Sequence, residues 1–293
     1  MDPERLVEFA QHAEAGGFEG LYVPEHVALY RGASLGGFEL PTTLEYADPL
    51  DLLMYVAAST ERLLLGTAVL LLPFHHPVIL AKRLATIDVL SKGRMRLLTV
   101  GLGSLPGEAR AVGVDFATRG RRTDEAIDVL RLLWSGGPDG VTYSGEFFEF
   151  EDLSSFPHPL AALPIHIGGS SRAAARRAGL RGDGYFPGGA LAAAERAAQW
   201  ELARENSGRD DLEYTRWASA DLTPAALQSY ERQGVTRLVI NAQTPRRPNR
   251  LRSALQPLLT TPSRTAVQTA AWLVEAARNS IRARRIRNPD SGS

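Results

Sequence analysis

The chain of 293 residues is long enough for one large domain or two ordinary ones, and an apolar content of 44% is ample for a globular core. Its 33 basic residues balance its 33 acidic ones, no signal-peptide pattern opens the chain, and no run approaches ~20 apolar residues. We therefore expect a soluble cytoplasmic protein that binds neither nucleic acid nor membrane, and the absence of cysteine excludes disulfides, thiolate metal sites and a cysteine nucleophile.

Helical and strand patterns alternate along the chain. Apolar residues at helical spacing predict helices, and short uniformly apolar runs predict strands that are covered on both faces. The predicted helices cover residues 3–16, 49–59, 77–91, 119–134, 171–180, 190–206, 223–233 and a segment near 247–258. The predicted strands cover residues 20–26, 63–71, 94–103, 163–169, 184–188, 212–219 and 236–242, and a hairpin is expected over 141–152.

Seven parallel strands alternating with helices favour a (β/α)8 TIM-type barrel over an open doubly wound sheet, which usually has fewer strands. The count is one short and a helix comes first, so we predict a barrel over residues 1–260 that lacks its first strand. The strands at 20–26 and 236–242 would then have bare edges, which we expect upstream residues, residues 263–285 or a partner subunit to cover. Residues 261–293 are predicted to form a basic amphipathic helix and a polar tail outside the barrel.

The ends of the predicted strands carry the candidate site residues. In a barrel, the chemistry lies where the carboxyl ends of the strands meet. The segments at these ends are Glu25-His26, the turn at 72–77, Gly101 to Ser104, Gly168 to Ser171, and Pro187 to Gly189. All five contain glycine or histidine, which predicts one site at this end of the barrel.

The segment IGGSSRAAARR places four small residues between a strand and a helix. Glycine lets the backbone approach an anion closely, serine can cap the helix, and the free N–H groups of a helix start favour phosphate. The residues that would form such a site are Gly168, Gly169, Ser170, Ser171 and Arg172. A plain strand–helix turn with a serine cap accounts for the same residues, so both interpretations stay open on this pattern alone.

Three other enzyme classes find little support. The segment VGLGS at 100–104 begins like a dinucleotide fingerprint, but the next glycine, Gly107, is one place late, and residue 120 onward starts a helix. The G-x-S-x-G segment GASLG at residues 32–36 lies in the predicted loop 27–47 and not in a strand-to-helix turn, which argues against a serine hydrolase of that type. Glu25 lies at a strand end, but no second strand-end carboxylate completes a glycosidase pair.

The paired histidines at 75–76 follow a buried strand. Adjacent histidines in a turn do not easily face one metal ion, and no carboxylate at helical spacing completes a site, so we expect no metal here. Pro77 can begin the next helix because its missing N–H is harmless there. We therefore expect this turn to be mainly structural, at the rim of the site, where Glu25, His75 or His76 could contact a ligand.

Four segments together resemble one known family. They are GGFEGLYVPEHV, RLLLGTAVLLLPFHHPVILAKRLATIDVLSKGRMRLLTVGLG, RGRRTDEAIDVLRLLW and PIHIGGSSRAAARRAGLRGDGYFP. They are similar to the bacterial-luciferase-like flavin and deazaflavin oxidoreductases, from about residue 3 to 258. The nearest branch is the probable coenzyme F420-dependent oxidoreductases common in actinobacteria. The resemblance implies a barrel that binds F420 or FMN at its strand ends, acts on a small-molecule substrate and forms a homodimer.

The resemblance also implies roles for individual residues. His26 would be the catalytic acid or base, and the peptide between Ala68 and Val69 would be cis beneath the ring of the cofactor. The ring would lie against the strand end at Gly101, Gly103 and Ser104, with the phosphate near 168–172. The implied reaction is hydride transfer between reduced F420 and a small organic substrate. An FMN-dependent monooxygenase and a non-catalytic, degenerate family member remain as alternatives.

Overall fold

Helices and strands alternate through residues 1–188, 191–219, 222–242 and 268–273, which are the residues that the computed structural model describes. The helices are α1 Pro3–Ala15, α2 Pro49–Ser59, α3 Pro77–Leu90, α4 Pro106–Ala111, α5 Arg119–Ser135, α6 Arg172–Arg181, α7 Ala193–Ser207 and α8 Pro224–Arg232. The strands are β1 Gly20–Val23, β2 Ser34–Leu35, β3 Phe38–Glu39, β4 Leu64–Leu71, β5 Met95–Gly101, β6 Val141–Ser144, β7 Glu149–Leu153, β8 Ile165–Gly168, β9 Gly184–Phe186, β10 Glu213–Ala218, β11 Arg237–Ala242 and β12 Gln268–Leu273.

Parallel strands close into a barrel in the order β1-β12-β11-β10-β9-β8-β5-β4. All seven strands predicted between residues 20 and 242 are present, and the α/β barrel prediction is confirmed. The hairpin predicted over 141–152 is also present, as β6 and β7. The predicted helix near 247–258 lies outside the described residues. The seven strands predicted between residues 20 and 242 thus lie where the sequence pattern indicated, and their carboxyl ends share one rim.

The strand β12 corrects one prediction. Residues 268–273 pair in parallel with β1, where Gly20 is opposite Ala270, and with β11, where Arg237 is opposite Gln268. The helix expected over this segment is therefore wrong for these six residues, and β12 fills the place between β1 and β11. The rest of 261–293 lies outside the described residues. The expectation that both edges are covered is confirmed, because a strand pairs with each of them.

Local chemistry explains why several helices begin where they do. Asp2 accepts hydrogen bonds from the N–H groups of Glu4 and Arg5, and Pro3 occupies the first helical position. Asp48 and Thr223 cap α2 and α8 in the same way, each followed by a proline. Among the helices of the described residues, none combines the length and the apolar character that crossing a membrane requires.

The inside of the barrel contains a small apolar cluster and a polar layer. A small apolar cluster formed by Tyr22, Leu97, Phe186 and Val239 comes from four separate strands and is distinct from the main core. Near the amino ends of the strands, the buried Arg237 donates to both carboxylate oxygens of Glu19, at 2.8 and 3.2 Å, and to Glu213. Such a network makes a buried guanidinium tolerable, because each charge has a partner.

His166 lies in the same polar layer. It is 1% exposed, and its Nε2 lies 3.5 Å from a carboxylate oxygen of Glu213. Burial lowers the pKa of His166 from 6.5 to about 4, and the charge of Glu213 only partly opposes this effect. The imidazole is therefore neutral in the folded protein at neutral pH.

We predict that His166 makes the fold sensitive to acid. Because its pKa is depressed in the folded state, its contribution is complete above about pH 6.5 and is lost as the pH falls toward about 4, by about 3 kcal/mol in total. Urea unfolding at several pH values should show a smaller loss of stability on acidification for His166→Asn than for the unsubstituted chain. Equal pH slopes for the two proteins would contradict this assignment, whatever the variant's stability at neutral pH.

Candidate active site

The predicted site residues lie at one rim of the barrel. Residues 24–26 follow β1, a short 3-10 turn at Leu72–Phe74 follows β4, residues 102–104 follow β5 and residues 169–171 follow β8. The strands are parallel, so these four segments lie at the same end. The fifth predicted segment is described only to Gly188, and Gly189 lies outside the described residues.

Glu25 and His75 form a pair across two strand ends. The Glu25 side chain is buried, and one of its carboxylate oxygens accepts the N–H of Leu71 at 2.5 Å. The other oxygen lies 2.8 Å from Nε2 of His75. The carboxylate therefore fastens the end of β4 to the segment after β1, and it holds the His75 ring through Nε2.

His26 is held by a different carboxylate. Its Nδ1 lies 3.1 and 3.3 Å from the two oxygens of Glu108, and its ring packs edge-on against Tyr46 at 4.7 Å between centroids. Donation from Nδ1 to a carboxylate fixes the tautomer and leaves Nε2 as the nitrogen that can exchange a proton. Burial, with a smaller effect from the charge of Glu108, raises the pKa of Tyr46, so its phenol stays protonated.

Glu108 is the functional candidate that the sequence analysis missed. It lies on the short helix α4, it is 1% exposed, and one oxygen also accepts the N–H groups of Val27 at 2.6 Å and Ala28 at 3.4 Å. The sequence signal for it is an acidic residue just after the strand-end segment VGLGS. This carboxylate therefore connects the loop after β1 with the helix after β5.

The two adjacent histidines point to different surroundings. His75 bonds Glu25, whereas His76 is exposed and packs its ring edge-on against Phe148 at 5.5 Å between centroids. Within the described parts of the chain, no group of three histidine, aspartate or glutamate side chains could hold a metal ion. The turn therefore acts mainly as a structural rim, with His75 committed to an internal contact.

The side chain of Val69 packs where two of the rim glycines, Gly101 and Gly168, would otherwise have a side chain. The peptide between Ala68 and Val69 is cis, as the resemblance implied. A Cβ on Gly101 would lie 2.5 Å from a methyl of Val69, and a Cβ on Gly168 would also collide with this side chain. Gly101 was expected to lie against a cofactor ring, and Gly168 to let the backbone approach a phosphate. The observed reason for their lack of a side chain is the close packing of Val69 between β5 and β8.

Gly103 and Ser104 complete the segment after β5. Gly103 has a φ of +73°, which favours glycine, and a Cβ there would lie 2.8 Å from the Phe74 ring. Its carbonyl accepts a hydrogen bond from Nε of Arg119 at 3.2 Å. Ser104 is exposed. The backbone here is thus fixed by its own neighbours, and Ser104 is the residue of the segment that remains accessible.

The segment at 168–172 has the geometry of an anion site. Ser171 caps α6 by accepting the N–H of Ala174 at 3.1 Å, as predicted, and Arg172 is exposed at the first helical position. Within the described residues, the backbone N–H groups of residues 170–173 make no hydrogen bond. Four successive donors at the positive end of a helix fit a phosphate group well.

We predict that Gly101 and Val69 are energetically coupled. Gly101→Ala should lower the free energy of unfolding by about 1–3 kcal/mol, because the new methyl overlaps Val69. Val69→Ala in the same chain should recover part of this loss, with a coupling of at least about 0.5 kcal/mol in a urea double-mutant cycle. Gly137→Ala is the matched control, since a Cβ there meets nothing within 4 Å. Simple additivity at positions 69 and 101 would contradict the packing described.

Comparison with known proteins agrees with this geometry. The family model of luciferase-like monooxygenases matches residues 1–279. The F420-dependent glucose-6-phosphate dehydrogenase of Microbacterium testaceum (strain StLB037) is 33% identical over 188 residues, which cover 63% of this chain but only 52% of the dehydrogenase. The chain thus aligns with about half the length of that relative.

Two solved structures share the fold. A monooxygenase, RslO1, from Streptomyces bottropensis superposes with a TM-score of 0.66 at 21% identity, covering 94% of this chain and 86% of the other. An F420-dependent secondary alcohol dehydrogenase in complex with an F420-acetone adduct superposes with a TM-score of 0.64 at 18% identity, covering 93% and 89%. With the family match over residues 1–279, the chain belongs to the luciferase-like monooxygenase family.

Proposed function

We propose that the chain is an F420-dependent oxidoreductase that transfers a hydride between the deazaflavin and a small organic substrate. The observation that carries this proposal is the His26–Glu108 pair at the end of β1, where a buried carboxylate orients a histidine for proton exchange. Similarity to the F420-dependent glucose-6-phosphate dehydrogenase supports the choice of cofactor. The exposed Ser104 and the segment at 168–172 add further polar groups at the same rim.

The residues present fit a phosphorylated flavin-type cofactor. The N–H groups of residues 170–173, which make no hydrogen bond within the described part of the chain, would hold its phosphate, aided by the charge of Arg172. Ala68 and Val69, both partly exposed, would lie beneath its ring, near Gly101, Gly103, Gly168 and Gly169. When bound, F420 supplies a carbon atom that gives or accepts a hydride.

His26 would accept or donate the proton that accompanies the hydride. The Nδ1–H of the imidazole is engaged by Glu108, so Nε2 is the position that takes a proton from a substrate hydroxyl or returns one to a carbonyl. The negative charge of Glu108 stabilises the imidazolium formed in the first direction. The buried Glu25–His75 pair would support the rim, and His76 would contact substrate only at its exposed edge.

A parallel binding titration tests the cofactor. The purified chain is mixed with F420 and, separately, with FMN, and binding is followed by the spectrum of each cofactor. We expect F420 to bind more tightly. The same phosphate-binding amides would also suit FMN, so tight FMN binding with oxygen consumption would support the monooxygenase alternative. Failure of a folded chain to bind either cofactor would favour the non-catalytic alternative.

We predict that His26→Ala lowers turnover by about 10²–10⁴-fold, because acid–base assistance is lost. The affinity for F420 should change by no more than a few-fold, since the phosphate and ring contacts remain. Turnover is measured as F420 reduction with glucose 6-phosphate and with simple secondary alcohols, the substrates suggested by the two F420-dependent relatives. His12→Ala, on the exposed surface of α1, is the matched control. Unchanged turnover in His26→Ala would exclude this role.

We also propose that the enzyme is a cytoplasmic homodimer, as the family resemblance implies. Exposed apolar side chains on neighbouring helices support a subunit contact, including Tyr55 on α2 and Ile79 on α3. Sedimentation analysis of the purified chain measures the oligomeric state directly.

A further inference from the structure

A buried hydrogen-bond network lies beneath the candidate phosphate segment. Tyr185 on β9 is fully buried, and its hydroxyl lies 3.0 Å from the carbonyl oxygen of Gly169 and 2.6 Å from Oε1 of Gln199 on α7. Gln199 is 2% exposed, and its Nε2 lies 3.2 Å from the carbonyl oxygen of Ser170 and 2.9 Å from Oε1 of Glu195. Two side chains from different elements thus hold two successive carbonyls.

The chemistry of these groups fixes the orientation of the Gln199 amide. The carbonyl of Ser170 and the carboxylate of Glu195 are acceptors, so the amide nitrogen must face them and donate both of its hydrogens. The amide oxygen is then left to face the Tyr185 hydroxyl, whose single proton is shared between this oxygen at 2.6 Å and the carbonyl oxygen of Gly169 at 3.0 Å. Burial raises the pKa of Tyr185, so its hydroxyl keeps the proton that it donates.

The network determines where the backbone N–H groups point. In a trans peptide the C=O and the following N–H point in opposite directions. Because the carbonyls of Gly169 and Ser170 are directed toward the buried side chains, the N–H groups of Ser170 and Ser171 are directed away from them. Gly169 has a φ of +121°, a conformation that favours glycine, and this allows the turn between β8 and α6.

We infer that Tyr185 and Gln199 are positioning residues that set the selectivity of this segment for a phosphorylated cofactor. The inference rests on the proposed function, and it adds to it the source of phosphate recognition. The two side chains do not touch the phosphate; they hold the peptide planes of residues 169–171 so that successive N–H groups converge on it. The N–H groups of Arg172 and Ala173, in the first turn of α6, complete the donor set.

The test compares two probes that differ only in the phosphate. These are the ribityl deazaflavin and its 5′-phosphate, titrated separately by fluorescence. The unsubstituted chain should bind the phosphorylated probe about 10–100-fold more tightly, the effect of one or two charge-assisted hydrogen bonds. Tyr185→Phe and Gln199→Leu should each reduce this ratio by about 10-fold, while the affinity for the unphosphorylated probe stays within a few-fold.

Tyr214→Phe is the matched control. Tyr214 is also buried, and its ring stacks with that of Tyr185 at 6.4 Å between centroids, but its side chain makes no hydrogen bond to residues 168–171. This variant should keep the full preference for phosphate. Binding of the unphosphorylated probe reports in each variant that the barrel is folded and that the ring contacts persist.

Each other outcome is decisive. If the unsubstituted chain binds neither probe, the proposed function fails and this inference fails with it. If the unsubstituted chain prefers phosphate and both variants keep that preference, only the positioning role is overturned. Equal binding of the two probes by the unsubstituted chain would show that this segment does not bind the phosphate. Equal losses for both probes in the variants would show a general structural role.

Discussion

The buried carboxylate of Glu108 is the constraint on which the site depends. A carboxylate in a protein interior is costly unless hydrogen bonds satisfy its oxygens. Here the donors are His26 Nδ1 and the N–H groups of Val27 and Ala28, all from the loop after β1. Movement of that loop would leave the charge unsatisfied, so the positions of α4, the loop and the His26 imidazole are linked.

Much of the fold could be predicted because its signals are local. Most barrel strands contain short runs of apolar residues, and several helices begin with a capping side chain and a proline. The short elements α4 and β2–β3 were not predicted, since their sequences PGEARA, SL and FE contain neither an apolar run nor a helical repeat of apolar residues. The strand β12 was misjudged because QTAAWL lies in an alanine-rich segment with helical spacing, whereas its strand conformation depends on pairing with β1 and β11.

The site was predictable only in part, for a related reason. Strand ends identify which segments meet at the rim, and this brought His26, Glu25 and the segment at 168–172 into consideration. Glu108, the hydrogen-bond partner of His26, is 82 positions away in the sequence, and no local pattern identifies it. Glycines are ambiguous in the same way: Gly101 accommodates Val69 of its own chain, and a sequence does not distinguish that requirement from space left for a ligand.

The two histidine–carboxylate pairs at the rim differ in the nitrogen that they use. His75 is bonded to Glu25 through Nε2, the nitrogen farther from its backbone, and the same carboxylate also holds the N–H of Leu71. His26 is bonded through Nδ1, the nearer nitrogen, which leaves the outer nitrogen for a ligand. An imidazole whose Nε2 is hydrogen-bonded to the protein can only support the structure. One that is held through Nδ1 keeps Nε2 available for a substrate. For this reason we propose His26 for the proton transfer and His75 for the support of the rim.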